Sequence, residues 1–128
     1  MTLRRLLGIE LPVVQAPMAG VQGSALAIAV SNAGGLGSLP CAMLSADALA
    51  AELAALRAGT SKPFNVNFFC HAAPTPDERH EAAWRAQLGP YYDEFGIDAA
   101  AIPAGPGRAA FGVEAADAID AFRPAVVS

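Results

Sequence analysis

The segment Phe64–Phe69 carries two amides at alternate positions of an apolar run. In an extended chain Phe64, Val66 and Phe68 share one face, and Asn65 and Asn67 share the other. The aromatic face belongs against covering helices, which leaves both amides on the inward side. A buried amide without a partner costs on the order of 1–3 kcal/mol, so something polar must meet each one. Asn65 reads as a structural amide tying adjacent strands. Asn67, nearer the C-terminal end of the segment, is the candidate for hydrogen-bonding a ligand.

A second candidate is the loop Ala16-Pro17-Met18-Ala19-Gly20. Small residues and a glycine let backbone N–H and C=O groups approach a flat aromatic ligand closely. On the residues alone it equally describes an ordinary strand-to-helix turn in which Met18 packs. Gly34-Gly35-Leu36-Gly37 follows a helix and precedes a strand, the reverse of a dinucleotide fingerprint. It reads as a helix stop and a tight entry into the next strand. Cys70 and His71 are neighbours in an extended segment and point to opposite sides, so they do not form a nucleophile–base pair. With His80 they lack metal-ligand spacing, and no metal is expected. No paired carboxylates stand ready for acid–base work, and no catalytic residue is assigned.

These candidates need a frame. Leu11–Val14 is a short β-branched apolar run suited to a strand buried on both faces. Pro17, Gly20 and Gly23 break it, Ser24 can cap a following helix with Leu26–Val30 as its body, and Gly34-Gly35 ends it. Leu36–Leu39 is extended again. Ser45 caps a second helix with Asp47 in its first turn and Leu49, Leu53 and Leu56 on one stripe, leaving Glu52 and Arg57 solvated; Gly59 stops it. After Phe64–Phe69, a long connection from about 70 to 112 holds a helix over Asp77–Leu88, capped by Thr75 or Asp77, and a further turn at Tyr91–Phe95. Val113–Phe122 is the next helix, and Ala125–Ser128 begins a fourth strand. Strands alternating with helices imply a parallel sheet covered by helices, an α/β architecture.

The chain has 128 residues and a formal charge of −4 without any basic run, so nucleic acid is not an expected partner. No apolar segment reaches membrane-spanning length uninterrupted, and the N-terminus lacks a secretory pattern. The two cysteines, Cys41 and Cys70, are too few for a disulfide framework and suit free thiols in a cytoplasmic protein.

The runs QAPMAG, SNAGGLGSL and NVNFFCH, in this order and spacing, resemble the N-terminal part of the nitronate monooxygenases, formerly called 2-nitropropane dioxygenases. The closing FRPAVVS resembles that family's fourth strand. The resemblance implies a TIM barrel that binds FMN, with Pro17, Met18, Ala19 and Gly20 lying against the isoalloxazine and Asn67 hydrogen-bonding it. It implies oxidation of alkyl nitronates, such as propionate 3-nitronate, by O2 to a carbonyl compound and nitrite or nitrate. The family often has a second glycine after PMAG; here Val21 stands there.

A complete barrel typically needs about 250 residues. The chain is therefore expected to be one incomplete domain, residues 1–128, forming the N-terminal half of a barrel. The family's basic histidine lies beyond Ser128, and neither His71 nor His80 matches its motif. Alone, the chain is expected to bind FMN weakly and turn over little.

Hydrophobic residues make up 54% and charged residues 16% of the chain, against about 25% charged in ordinary domains. That is more apolar surface than half a barrel buries by itself. Self-association, or pairing with a C-terminal half, would cover it. An FMN-dependent enoyl-acyl-carrier-protein reductase is one alternative, sharing PMAG, AGG and VN, though the NFFCH extension speaks against it. A non-catalytic half-barrel remnant with exposed strand edges is another. A plain doubly wound binding domain leaves Asn67 unexplained.

Overall fold

The computed structural model describes residues 2–72, 75, 77–102 and 110–128. The elements in chain order are α1 (Leu3–Leu7), α2 (Ser24–Asn32), β1 (Gly37–Pro40), α3 (Ala46–Gly59), β2 (Phe64–Asn67), α4 (Glu78–Phe95), α5 (Val113–Phe122) and β3 (Val126–Val127), with a 3-10 turn at Ala99–Ala101. They fall into two compact units, Met1–His71 with Arg108–Ser128, and Ala72–Gly107.

The first unit is built on the parallel sheet β1-β2-β3. Gly37 stands opposite Phe64, Leu39 opposite Val66, and Asn65 opposite Val126. Outside β1, the segment before α2 joins the sheet by one parallel bridge, Val14 to Leu36. The strand expected over Leu11–Val14 is reduced to that contact, and its own residues explain why. Pro12 has no N–H, the Val13 N–H turns back to the Leu11 carbonyl, and the Leu11 N–H goes to the Gly34 carbonyl. Phe64–Phe69 likewise pairs regularly only to Asn67; Phe69 makes a separate bridge to Ala110. Among the described residues four extended segments therefore lie side by side in parallel.

The core lies on one side of the sheet. Ala27 of α2, Leu39 of β1, Leu49, Leu53 and Leu56 of α3, and Phe64 and Val66 of β2 form one buried cluster. Phe68, Ala118, Ile119 and Phe122 pack against it. The leucine stripe of α3 and the aromatic face of β2 thus meet as their periodicities require. The close approach of α2 to β1 depends on Gly37. A Cβ there would fall on the Ala27 carbonyl and stand 2.7 Å from Ser31 Oγ. Ser31 is fully buried; its hydroxyl accepts the Gly37 N–H at 3.1 Å and donates to the Pro63 carbonyl at 3.0 Å.

Several local expectations are corrected. Gly23, not Ser24, is the N-cap of α2. Glu52 is not solvated; its Oε2 accepts the Ser24 N–H at 2.7 Å. Arg57 is exposed, as expected, and is engaged as well: its guanidinium lies 4.0 Å from the Phe122 ring centre and donates to the Phe122 carbonyl at 2.6 Å. Gly59 belongs to α3, with Thr60 as the cap.

In the second unit, α4 runs through Pro90 as one helix, where a stop near Leu88 and a separate turn were expected. Asp77 caps its start by accepting from the Arg79 and His80 N–H groups, and Gly96 closes its end in the left-handed conformation. Ala86, whose carbonyl Pro90 leaves without a helical donor, is exposed, so water can replace the bond.

Candidate functional site

The face of the sheet turned away from the core carries a polar seam, beside Pro40 and Val126. Ser38 of β1, Asn65 and Asn67 of β2, and Ser128 beyond β3 all lie on it, as the alternation along each strand dictates. Asn65 Nδ2 donates to Ser38 Oγ at 3.2 Å and to Ser128 Oγ at 3.0 Å. Asn67 Nδ2 donates to the same Ser128 Oγ at 3.0 Å and to its carbonyl at 3.4 Å. The main chain of Asn67 is fixed as well, since its carbonyl accepts the Cys41 N–H at 2.8 Å. Both asparagines therefore point away from the helices. Asn65 is buried between strands and ties them. Asn67 is half-buried at the C-terminal end.

Ser38 links this face to the 16–20 loop. Its N–H donates to Gln15 Oε1 at 3.1 Å, and its carbonyl accepts from Gln15 Nε2 at 3.2 Å and Gln22 Nε2 at 2.9 Å. The ladder explains why side chains do this. The Leu36 N–H donates to the Val13 carbonyl and the Gln15 N–H to the Leu36 carbonyl. The next rung would join Ser38 N–H to the Gln15 carbonyl and the N–H of residue 17 to the Ser38 carbonyl. Residue 17 is proline and has no N–H. The amide of Gln15, with one donor and one acceptor in peptide-like arrangement, serves the buried Ser38 instead.

Between the two glutamines the loop stands proud. Pro17 and Ala19 are half-buried, Gly20 is exposed, and Met18 is 47% exposed, so packing alone does not account for Met18. Gly20 has φ +82, a conformation that side-chain-bearing residues rarely adopt. The Val21 N–H turns back toward the Met18 carbonyl at 3.4 Å. One hydrogen-bonded path, Gln22–Ser38–Asn65–Ser128–Asn67, connects the loop to Asn67.

No side chain of this seam is ionisable, so it can donate, accept and orient but not transfer protons at neutral pH. Two buried acceptors, Gln22 Oε1 and Asn65 Oδ1, have no hydrogen-bond partner among the described residues. Cys41 is buried, and burial pushes its thiol up to about 12, which keeps it protonated. Cys70 is exposed, and His71 packs its ring edge against Phe69 at 6.1 Å between centroids. His80 Nδ1 lies 3.0 Å from Asp77 Oδ2 at the start of α4. A hollow of about 380 Å³ lies on the helix side, lined by Cys41, Leu44, Leu49, Phe68, Val113 and Ala118 among others, and by none of Pro17, Met18, Ala19, Gly20 or Asn67.

Sequence reasoning passed over Gln15, Gln22, Ser38 and Ser128. The signal for Gln15 was available: a long amide two residues before a proline, at the end of a strand. Ser38 could have been found as the polar residue alternating with Gly37 and Leu39. Nothing local marks Gln22 or Ser128.

A sequence model of the family described as nitronate monooxygenase matches residues 1–102. The nitronate monooxygenase of Pseudomonas aeruginosa is 50% identical over 94 residues, which is 73% of this chain and 27% of that protein. The solved structure of nitroalkane oxidase from Streptomyces ansochromogenes superposes with TM-score 0.62 at 36% identity, over 86% of this chain and 29% of that one. FabK from Thermotoga maritima superposes with TM-score 0.51 at 33% identity, over 73% and 27% respectively. The chain spans about a quarter of the length of the curated relatives it matches.

Proposed function

This chain belongs to the nitronate monooxygenase family of oxidoreductases, and from that premise we propose that it supplies the FMN-facing start of a barrel that oxidises alkyl nitronates with O2. The observation that carries the reading is the polar seam. The PMAG loop is anchored at both ends to Ser38, on the same core-distant face as Asn67.

The residues present suit such a cofactor. The seam has acceptor capacity left over at Gln22 and Asn65, and Gly20 adds no side chain of its own to the loop. The pyrimidine edge of a flavin carries both donors and acceptors. Pro17, Met18, Ala19 and Gly20 would hold the ring system, and Asn67 would offer its amide. FMN supplies the redox chemistry when bound, and the protein supplies binding, orientation and electrostatics. A nitronate is already a carbanion equivalent and needs no base, whereas a neutral nitroalkane would need one to lose its α-proton.

Among the described residues no helix is long and apolar enough to cross a membrane. Cys41 and Cys70 are both free thiols, which fits the reducing cytoplasm in which we place the protein. On its own the chain is expected to hold FMN weakly; the partners expected of the whole barrel are a small-molecule nitronate and O2. The apolar residues Leu11, Val13 and Val14, each about half exposed, support association with further barrel sequence or with a second copy.

The test is a chimera in which this chain replaces the matching part of the Pseudomonas relative. The reading expects a yellow protein that retains FMN through gel filtration and consumes O2 on addition of propionate 3-nitronate. NADH oxidation with an enoyl thioester in place of nitronate turnover would move the assignment to the FabK side. A folded but colourless chimera would sink both.

A further inference from the structure

We propose that Gln15 and Gln22 are positioning residues that clamp the 16–21 loop onto Ser38 and so hold its backbone ready for a flat cofactor; the cofactor half of this statement rests on the FMN reading above. The loop has little else to keep it in place. Met18, Gly20 and Val21 are exposed, and Pro17 cannot extend the strand ladder. Beyond the main-chain bond from the Gln15 N–H to the Leu36 carbonyl, the bonds between the flanking segments and β1 are two of the Gln15 side chain and one of the Gln22 side chain, all with the main chain of one fully buried residue. Gln15 acts before the proline and Gln22 after the turn, so together they close the loop into a ring whose clasp is the Ser38 carbonyl. A loop closed at both ends loses little further freedom when a ligand binds, which is how preorganisation improves affinity.

The proline makes the idea testable by compensation. If the Gln15 amide replaces the peptide that Pro17 withholds, then restoring an N–H at position 17 should relieve the need for it. Hydrogen exchange of the full 128-residue chain, read by mass spectrometry, gives the first measurement. Gln15→Met keeps length and apolar volume but removes both bonds. It should speed exchange at Ser38 and across residues 18–23 about tenfold, while the sheet from Phe64 to Asn67 keeps its protection. Gln22→Met should speed exchange in the loop alone by a smaller factor. Adding Pro17→Ala to Gln15→Met should return Ser38 protection toward that of the parent.

FMN titration of the chimera with the Pseudomonas relative, followed by fluorescence quenching, is the second measurement, and here Gln15→Met should weaken binding about tenfold. Unchanged exchange in both single variants, or no recovery in the double variant, overturns the clamp. If Gln15→Met does not fold, Gln22→Met alone decides: protection unchanged in its loop overturns the clamp as well. A parent chimera that quenches no FMN fluorescence overturns the flavin reading only, because the exchange comparison still shows whether the glutamines order the loop.

Discussion

Glu52 on α3 accepts the main-chain N–H of Ser24 at 2.7 Å, so one helix supplies the N-terminal cap of its neighbour. Gly23 has no side chain to cap with, and α2 has no acidic residue in its first turn. The carboxylate does both jobs from outside, satisfying a free donor and placing negative charge at the positive end of the dipole. Glu52→Ala should lower stability by about 1 kcal/mol, the usual cost of a lost cap. Glu52→Gln, which keeps an acceptor but loses the charge, should fall between. Urea unfolding followed by circular dichroism reads both; equal midpoints for all three proteins would contradict the cap.

This contact also marks the limit of what the sequence discloses. The leucines of α3 and the alternation of Phe64–Asn67 are periodic and land on the core as their period requires; on α5, Ile119 and Phe122 pack against the core while Val113 is 77% exposed. The α/β class and parallel order were legible for the same reason. Glu52 was read as solvated because it lies off the leucine stripe, and nothing local indicates that a helix end 28 residues earlier sits above it. The site divides similarly. The inward direction of Asn67 follows from period two within one strand. The roles of Gln15 and Gln22 follow from β1 lying alongside, which is a tertiary fact. Pro90 misled in the opposite sense: proline is a strong local signal, but an exposed helix capped at both ends carries it.

Gly37 should be among the positions least tolerant of change. A methyl group there would collide with the Ala27 carbonyl and crowd Ser31 Oγ. These are helix backbone and a buried, hydrogen-bonded hydroxyl, neither able to swing away. Gly37→Ala is expected to cost about 3 kcal/mol, the upper part of the range for overpacking. Gly89, where an added Cβ meets nothing within 4 Å, is the internal control. Gly89→Ala should be neutral or slightly stabilising, since alanine is the better helix former. Thermal unfolding of the two variants should separate them clearly.

The two thiols should react at very different rates. Cys41 is 3% exposed, and burial pushes its pKa from 9.0 up to about 12. Only the thiolate is an effective nucleophile. Iodoacetamide at about pH 8 should therefore alkylate Cys70 and leave Cys41 unmodified until urea unfolds the chain. The linkage has a definite sign. Folding favours the protonated thiol, so this contribution is intact below about pH 9 and is lost as pH rises toward 12. Rapid labelling of Cys41 in native buffer would show that its environment is open.

Lys62 Nζ lies 2.7 Å from Glu10 Oε1 and joins the chain before α2 to the entry of β2. The hydrogen bond from Lys62, and then its charge, hold the Glu10 carboxyl below its usual 4.5. A lowered folded pKa means that folding favours the ionised carboxylate. The contribution is therefore present above pH 4.5 and disappears as pH falls through the lower folded value. Both groups are exposed, so the effect should be small and should shrink in 1 M salt. Lys62→Met should flatten this acid limb of the urea midpoint plotted against pH. An unaltered limb would show that the pair does not persist in solution.

Asn65 and Asn67 should separate stability from cofactor binding. They share the Ser128 hydroxyl, yet Asn65 is 4% exposed and also holds Ser38, whereas Asn67 is half-buried at the strand end. Asn65→Ala removes the bond to buried Ser38 and leaves a void between β1 and the chain end. It should cost about 1–3 kcal/mol, the range for stranding buried polar groups. Asn67→Ala leaves that tie in place, and its main-chain carbonyl still accepts from Cys41, so it should cost less than 1 kcal/mol by the same scale. In the chimera with the Pseudomonas relative, Asn67→Ala should lose FMN on gel filtration at an unfolding temperature close to that of its parent. Asn65→Ala should retain FMN at temperatures where it remains folded. If flavin retention follows stability in both variants, then Asn67 is a second strand tie and the PMAG loop must hold the cofactor without it.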